Sequence, residues 1–399
     1  MPTPLTDQLD ANRSDRLRVL IVGAGVAGRT LAALLHRDGM HPIVIDKAPE
    51  TASPGYMLAL MPLVDPAFTD LDITDAYHAR STPIRRFHIR GHTGKLLGRY
   101  LMSDMLSGYG QYRGISRSEL LDALATNPTP ITYEASVTAI DHTGGAAIAT
   151  ITDATSTTTA HVDLIVAADG INSKTRDLVI GPDNVTGLDT GWGGWITWGD
   201  PTDGPDAGEE LWGRGFFLGT YPVKDRVGII VCGHRDDTRN GPAAFIRTIG
   251  ERITTTSPRT TDALTRIRDT TTSYFWPLYD KRSTTWRSKR FILLGDAAAG
   301  FLPTAGIGAC MAIESAHVLS KHLSAANPRN LHRHLADYER HQRPRVEAAQ
   351  DNSRTLARLM FNHSRTMAVA RDIAARWVPI NTALRPIRGL LETPPVTAT

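Results

Sequence analysis

Short apolar runs and longer amphipathic stretches alternate near the start of the chain. Residues 19–22, VLIV, form an unbroken apolar run typical of a buried parallel strand. From Ala27 to His36 the leucines recur at helical spacing, and Gly39 follows as a helix stop. The run HPIVID predicts a second strand that ends on Asp46. The pattern therefore predicts a strand–helix–strand unit within a parallel sheet.

Two later apolar runs have the same form, and each is followed by a pair of aspartate and glycine. Residues 164–168 precede Asp169-Gly170, and the run FILL precedes Gly295-Asp296. A segment of small residues then leads through Gly306 to a helix that opens near Gly308. We expect these strands to join the first parallel sheet.

The pattern changes between residues 186 and 280. Short runs such as GWITWGD, GRGFFLGTYPV and RVGIIVCGH alternate with turn residues and are typical of antiparallel strands. Aromatic residues are frequent in them, either as core packing or as the floor of an apolar pocket. As a group they suit an aromatic or polycyclic ligand.

The loop after the first strand has the spacing G-x-G-x-x-G, at Gly23, Gly25 and Gly28. The first glycine permits a tight turn, the second lets the backbone approach a pyrophosphate, and the third lets the helix pack closely on the strand. Asp46 lies about 20 residues further on, where an acid can bond a ribose hydroxyl. The unit predicts a dinucleotide site, without separating NAD from FAD.

Composition narrows the function classes. A net charge of +3 with no basic run interleaved with aromatics argues against nucleic acid. Cys232 and Cys310 are too few for a disulfide framework and predict reduced thiols in a cytoplasmic protein. We expect residues 1–16 to be a disordered leader, no stable membrane association, no metal site, and a monomer or homodimer.

Together the three motifs resemble those of the class A flavoprotein monooxygenases, which have the para-hydroxybenzoate hydroxylase fold. The resemblance covers nearly all of residues 17–355 and includes D-G-x-x-S-x-x-R at 169–176 and the third motif at 295–308. Ala299 stands where the family usually has His, and Cys310 where Asn is frequent. The motifs and the resemblance assign FAD binding to these residues: Gly23, Gly25, Val26, Ala27, Gly28, Asp46, Lys47, Arg117, Asp169, Gly170, Gly295, Asp296, Pro303, Gly306 and Gly308.

The resemblance implies an α/β fold, in which a Rossmann-like FAD-binding domain is interlaced with a mostly antiparallel β-sheet substrate domain, plus C-terminal helices. The domain boundaries that follow are: residues 17–75, 105–185 and 281–355 for the FAD domain; 76–104 and 186–280 for the substrate domain; 356–399 for the helical region. The substrate-pocket candidates are Tyr56, Met57, Trp195, Phe217, Tyr221 and Phe275.

The resemblance also implies an activity. NAD(P)H, bound transiently, reduces FAD, and O₂ then gives a C4a-hydroperoxide that hydroxylates or epoxidises an aromatic or polycyclic small molecule. The flavin carries this chemistry, so no protein residue is assigned as catalytic, and Asp296 is expected to bond sugar hydroxyls. The Arg- and Thr-rich, Lys-poor composition is associated with bacterial secondary metabolism.

Three alternatives stay open. The departures at Ala299 and Cys310 allow a flavin oxidase or dehydrogenase on the same fold. The segment GWGGWITW is similar to a Trp-rich motif of flavin-dependent halogenases, although no catalytic lysine is evident. A protein that holds FAD without turnover is the third.

Overall fold

The computed structural model describes residues 3–50, 55–127, 129–143, 145–201, 204–270, 274–377 and 385–396. The described strands, in chain order, are β1 (Val19–Val22), β2 (Ile43–Ile45), β3 (Met57–Leu60), β4 (Thr82–Pro83), β5 (Arg86–Arg90), β6 (Leu96–Leu101), β7 (Arg113–Ser116), β8 (Ser136–Thr143), β9 (Ala146–Thr152), β10 (Thr157–Val162), β11 (Leu164–Ala167), β12 (Val185–Gly199), β13 (Ala207–Trp212), β14 (Phe216–Val223), β15 (Arg226–His234), β16 (Tyr274–Ser283), β17 (Arg287–Ser288), β18 (Phe291–Leu293) and β19 (Ala299–Gly300).

The described helices, in the same order, are α1 (Leu5–Asn12), α2 (Val26–Arg37), α3 (Asp65–Leu71), α4 (Thr74–Arg80), α5 (Met102–Met105), α6 (Arg117–Leu124), α7 (Lys174–Val179), α8 (Arg235–Thr238), α9 (Pro242–Arg252), α10 (Pro258–Asp269), α11 (Gly308–Ser324), α12 (Leu331–Met360), α13 (Arg365–Trp377) and α14 (Arg385–Glu392). Short 3-10 turns occur at Pro62–Val64, Pro182–Asn184, Gly295–Ala297 and Pro303–Ala305.

A mostly parallel sheet forms the first layer, with the strand order β17-β18-β11-β1-β2 among the described residues. Strands β18, β11, β1 and β2 pair in parallel, and every residue of these four strands is buried. Buried parallel strands are apolar on both faces, which explains their unbroken apolar runs. Because their carboxyl ends meet at one edge, the loops after β1, β2, β11 and β18 lie together.

The expectation of a disordered leader is wrong for residues 5–12, which form helix α1. This helix packs on β2, and its Leu5 is buried. The Gln8 amide nitrogen donates to the Val44 carbonyl at 3.1 Å, and the Val44 N–H donates back to Gln8 Oε1 at 2.7 Å. Asn12 Nδ2 donates to the His41 carbonyl at 2.8 Å. Polar residues here complete the hydrogen bonding at the sheet edge instead of facing solvent.

The second layer has the strand order β19-β16-β12-β15-β14-β13-β5-β6. We call it the bent sheet, because register shifts interrupt the β12–β16 and β5–β6 pairings. Its pairings are antiparallel except that of β13 with β5. On one face, Phe216 and Leu218 of β14 join a core with Phe245 of α9 and Ile267 of α10. The opposite face is turned toward the parallel sheet and is free to line a cavity.

The remaining elements complete the two layers. Strands β8–β10 and β3, β4 and β7 form two small antiparallel sheets. Helix α11 packs between α2 and α12, and α12 contacts the C-terminal helix α14. Within the described ranges, no helix is long and apolar enough to cross a membrane. The predicted fold class is confirmed, while the domain boundaries remain a prediction.

Candidate active site

A cavity of about 860 Å³ runs from the carboxyl edge of the parallel sheet to the inner face of the bent sheet. Most residues predicted from the cofactor motifs line it: Gly23, Gly25, Val26, Ala27, Asp46, Lys47, Arg117, Asp169, Gly170, Asp296, Pro303, Gly306 and Gly308. Gly28 and Gly295 lie directly behind this lining. The structure thus brings the predicted residues together, and their roles as ligands stay a prediction.

The first glycine loop is shaped by contacts within the protein on one side and by the cavity on the other. Gly23 has a φ of +106° and donates its N–H to the Ile45 carbonyl at 2.8 Å. A Cβ at Gly28 would stand 1.9 Å from the Gly23 carbonyl oxygen, so helix α2 can approach β1 only with glycine there. A Cβ at Gly25 would meet no protein atom within 4 Å. No contact within the protein therefore requires glycine at position 25, and its close approach to a pyrophosphate stays a prediction.

Asp46 lies at the end of β2, beside this loop. One carboxylate oxygen accepts the Ala24 N–H at 2.7 Å, and the other accepts the Ala48 N–H at 2.8 Å. These bonds hold the carboxylate at the cavity, and each oxygen retains a second acceptor position. Asp46 can therefore accept a hydrogen bond from a ribose hydroxyl.

The carboxylate of the second motif mainly accepts hydrogen bonds within its own loop. The Asp169 carboxylate accepts hydrogen bonds from the Ser173 hydroxyl and from the N–H and hydroxyl of Thr175 at the start of α7. Arg176 is 2% exposed, and it donates to the carbonyls of Ile171 at 3.2 Å and Ala297 at 3.1 Å. Arg176 therefore ties the second motif to the third.

The third motif places an unpartnered carboxylate in the cavity. Asp296 follows β18, and its exposed surface faces the cavity while protein surrounds its other sides. That surrounding protein removes water and raises the pKa of Asp296 to about 6. No hydrogen bond to this carboxylate occurs among the described residues. The side chain is thus available to hydroxyl donors of a bound cofactor.

Helix α11 opens at the same cavity, after a turn that ends with Gly306 at a φ of +59°. Its first residue, Gly308, and the next, Ala309, both line the cavity. The free N–H groups and positive dipole end of a helix start attract negative charge. This position suits the anionic end of a reduced flavin ring.

Arg117 and Tyr56 lie where the cofactor motifs meet the bent sheet. The Arg117 N–H donates to the Tyr56 carbonyl at 2.8 Å. Burial raises the pKa of the Tyr56 phenol, and the charge and hydrogen bond of Arg117 oppose that rise. The Tyr56 ring packs against Trp276, with 5.6 Å between ring centroids.

Whether a predicted substrate-pocket residue lines the cavity depends on which face of its strand it occupies. Tyr56, Met57, Phe217 and Tyr221 line the cavity, and their role as substrate contacts stays a prediction. The prediction is wrong for Trp195 and Phe275, which are cross-strand partners on the opposite face. There Trp195 packs against Phe275 and Phe245, with centroids 5.3 Å and 6.0 Å away. Side chains alternate along a strand, so the next residues, Ile196 and Trp276, line the cavity instead.

Sequence reasoning missed the polar centre of the inner face, Glu210. Its Oε1 accepts the Tyr221 hydroxyl at 2.6 Å, and its Oε2 accepts Trp212 Nε1–H at 2.8 Å. Glu209 points the other way, toward Arg90 at 2.9 Å and Ser257 at 2.8 Å. The signal was available, since two adjacent glutamates in an apolar strand must face opposite sides of a sheet.

The two departures from the family motif lie outside the cavity lining. Ala299 is buried on β19 and pairs with Arg282. Cys310 faces the core, where its sulfur accepts the Met61 N–H at 3.3 Å. Burial raises the pKa of its thiol to about 12. Neither side chain lines the cavity.

FAD fits this arrangement on structural grounds. Gly25 and Gly170 both leave open space where a Cβ would stand, and Gly170 has a φ of +84°. Asp46 and Asp296 offer acceptors at the carboxyl ends of two different strands. Such a row of open backbone and carboxylates suits an extended dinucleotide with its sugars and pyrophosphate.

Comparison with known proteins agrees with an FAD site in this cavity. The FAD binding domain family matches residues 16–353. Asperlicin C monooxygenase of Petromyces alliaceus is 26% identical over 396 residues, which span 88% of this chain and 81% of that protein. The 6-hydroxynicotinate 3-monooxygenase of Pseudomonas fluorescens is 23% identical, with 89% and 95% covered. Klebsiella pneumoniae HpxO, solved with FAD and uric acid, has a TM-score of 0.82 at 19% identity, with 96% and 98% covered.

The matched range contains all three cofactor motifs, from Gly23 to Gly308. The predicted FAD cofactor and the assignment to FAD-dependent oxidoreductases are thereby confirmed. The chain belongs to the FAD binding domain family and has the fold of the class A flavoprotein monooxygenases.

Proposed function

We propose that this protein is a monooxygenase that uses NAD(P)H as a transient reductant and O₂ to hydroxylate or epoxidise an aromatic or polycyclic small molecule. The observation that carries the proposal is the continuity of the cavity. One space joins the cofactor motifs to a chamber, defined here by cavity-facing residues of the bent sheet and of the segments beside it: Phe87, Ile89, Tyr100, Tyr112, Ile196, Glu210, Trp212, Phe217, Tyr221, Ile230, Cys232, Trp276, Leu278, Leu356, Met360 and Phe361. A planar apolar substrate would lie there against the flavin end.

Bound FAD would supply the redox chemistry, taking a hydride from the reductant and activating oxygen. The protein contributes position and exclusion of water. Asp46 and Asp296 would hold sugar hydroxyls, and the start of α11 would stabilise negative charge on the ring. The aromatic chamber would replace water around the substrate, which protects a reactive oxygen species from side reactions.

Relatives support the choice of oxygenation. Two of them are named as monooxygenases acting on asperlicin C and on 6-hydroxynicotinate. A role in bacterial secondary metabolism is part of the proposal and rests on composition alone.

The alternatives find less support in the cavity. An oxidase or dehydrogenase was suggested by Ala299 and Cys310, yet both side chains lie outside the lining. A halogenase needs a lysine near the substrate. The lysines among the described lining residues, Lys47 and Lys174, belong to the cofactor motifs.

The test is the oxidative half-reaction of the FAD-loaded protein. The flavin is reduced without oxygen and then mixed with oxygenated buffer, and its absorbance is followed on the millisecond scale. A monooxygenase gives a transient band before oxidised flavin returns, and substrate-stimulated NAD(P)H consumption accompanies product. Direct return of oxidised flavin with every aromatic candidate would refute oxygenation. No stimulation of NAD(P)H consumption would favour a non-catalytic FAD protein.

A further inference from the structure

The chamber holds one ionisable carboxyl in an otherwise apolar and aromatic lining. Other acids and bases among the described cavity residues, such as Asp46, Arg117 and Asp296, belong to the cofactor motifs. Glu210 alone of the described charged lining residues stands on the bent sheet, opposite Gly219 and beside the cross-strand pair Trp212–Phe217. Its chemistry therefore bears on the substrate more than on the cofactor.

Glu210 keeps hydrogen-bonding capacity that the protein does not use. Its two bonds, from Tyr221 and Trp212, occupy one acceptor position on each oxygen. A carboxylate oxygen offers two positions, so one remains free on each. Burial also raises the pKa of Tyr221 well above its usual range, so Tyr221 stays a phenol and a donor.

Glu210 has no ion-pair partner within the described part of the chain. No Arg, Lys or His there comes within ion-pair distance of its carboxylate, whereas its neighbour Glu209 meets Arg90 at 2.9 Å. Burial raises the pKa of Glu210, and its two hydrogen bonds oppose that rise. Glu210 is half-buried and faces the cavity, where a bound ligand would complete its removal from water. A carboxylate enclosed there without a cation is unfavourable, and a donor supplied by the ligand would relieve that.

We propose that Glu210 selects substrates that carry an N–H donor, either a basic amine or a ring N–H, on an apolar aromatic body, and disfavours substrates with a carboxylate at that point. The inference rests on the proposed function in that it takes the chamber as the substrate site. Tyr221 and Trp212 act as positioning residues, because they fix the carboxylate on the inner face of β13 and β14.

The experiment compares two ligands of the same shape and opposite charge on FAD-loaded, oxidised protein. Isothermal titration calorimetry near neutral pH measures binding of 1-naphthylmethylamine and of 1-naphthoic acid. Wild-type protein should bind the amine at least about tenfold more tightly. Glu210→Gln keeps the shape and removes the charge, so the ratio of the two affinities should fall about tenfold.

Glu209→Gln is the matched control, since it removes an adjacent charge on the other face of the same strand. It should leave the affinity ratio unchanged. If Glu209→Gln does not fold, Glu251→Gln, at an exposed position of α9, serves as the control instead. Equal wild-type affinity for acid and amine would overturn the proposal without any variant. An unchanged ratio in Glu210→Gln would also overturn it.

The readout separates this inference from the proposed reaction. Calorimetry needs neither NAD(P)H nor turnover, so a protein that fails the half-reaction test can still show the charge preference. Conversely, if the protein is a monooxygenase that binds the naphthoate and the amine equally, the proposed function stands and the proposed role of Glu210 is refuted.

Discussion

Replacing Arg176 by methionine is expected to weaken both the fold and the cofactor site. Arg176 is almost completely buried, and its Nη1 donates to the carbonyls of Ile171 and Ala297. Ile171 belongs to the second motif, and Ala297 to the third. Methionine occupies similar space without a donor, so both carbonyls lose their charged partner while the packing is largely kept.

The expected size follows from those two acceptors. A buried carbonyl left without its hydrogen bond costs about 1–3 kcal/mol, so the loss of two should lower the free energy of unfolding of Arg176→Met by about 2–6 kcal/mol. Because the lost bonds joined two loops of the FAD site, FAD affinity should also fall. The two effects should appear together, since one side chain holds both loops.

Urea denaturation followed by circular dichroism measures the first effect, and quenching of flavin fluorescence on binding measures the second. Arg268→Met is the control, because Arg268 is exposed and pairs with the adjacent Asp269. It should leave stability and FAD affinity unchanged. If Arg176→Met unfolds at the wild-type urea concentration, the linkage between the two motifs is refuted.

Two further predictions concern single groups. Because the folded-state pKa of Asp296 is raised to about 6, its ionisation disfavours the folded FAD-free protein as pH rises from about 4 to 6. Asp296→Asn should remove that part of the pH dependence in thermal melts, and should weaken FAD binding; an unchanged pH profile would contradict it. The thiol of Cys310, with its pKa raised to about 12, and the buried Cys232 should not react with Ellman's reagent until the protein unfolds. Rapid labelling of the folded protein would contradict their burial.

Much of the part of the cavity lined by the cofactor motifs could be predicted, because each of its structural requirements concerns residues close together in the sequence. A tight turn, a close helix and an acid at a strand end each need one residue type at one place. Gly23, Gly28 and Asp46 meet these needs within one βαβ unit, so the sequence alone locates them. The parallel sheet then brings the later motifs to the same edge.

The chamber was harder to predict because it depends on which face of each strand is turned inward. Trp195 and Trp276 are equally aromatic, but only strand register decides that Trp276 lines the cavity. Glu210 was missed because its partner Tyr221 lies on the neighbouring strand β14 and is brought near only by strand pairing. Helix α1 was missed for a related reason, because Gln8 is polar yet buried against an open strand edge.

The two halves of the cavity meet at Tyr56. Its ring packs on Trp276 of the chamber, while its hydroxyl is close enough to Arg117 and Asp296 for their charges to affect its pKa. On the FAD side of Tyr56 the cavity presents fixed charges and backbone donors. On the chamber side it presents aromatic faces and one carboxylate. Successive side chains of β13 face opposite sides of the sheet, so a change at residue 210 alters the chamber without moving any cofactor motif. Substrate choice could therefore diverge among relatives while the FAD site and the fold stay the same.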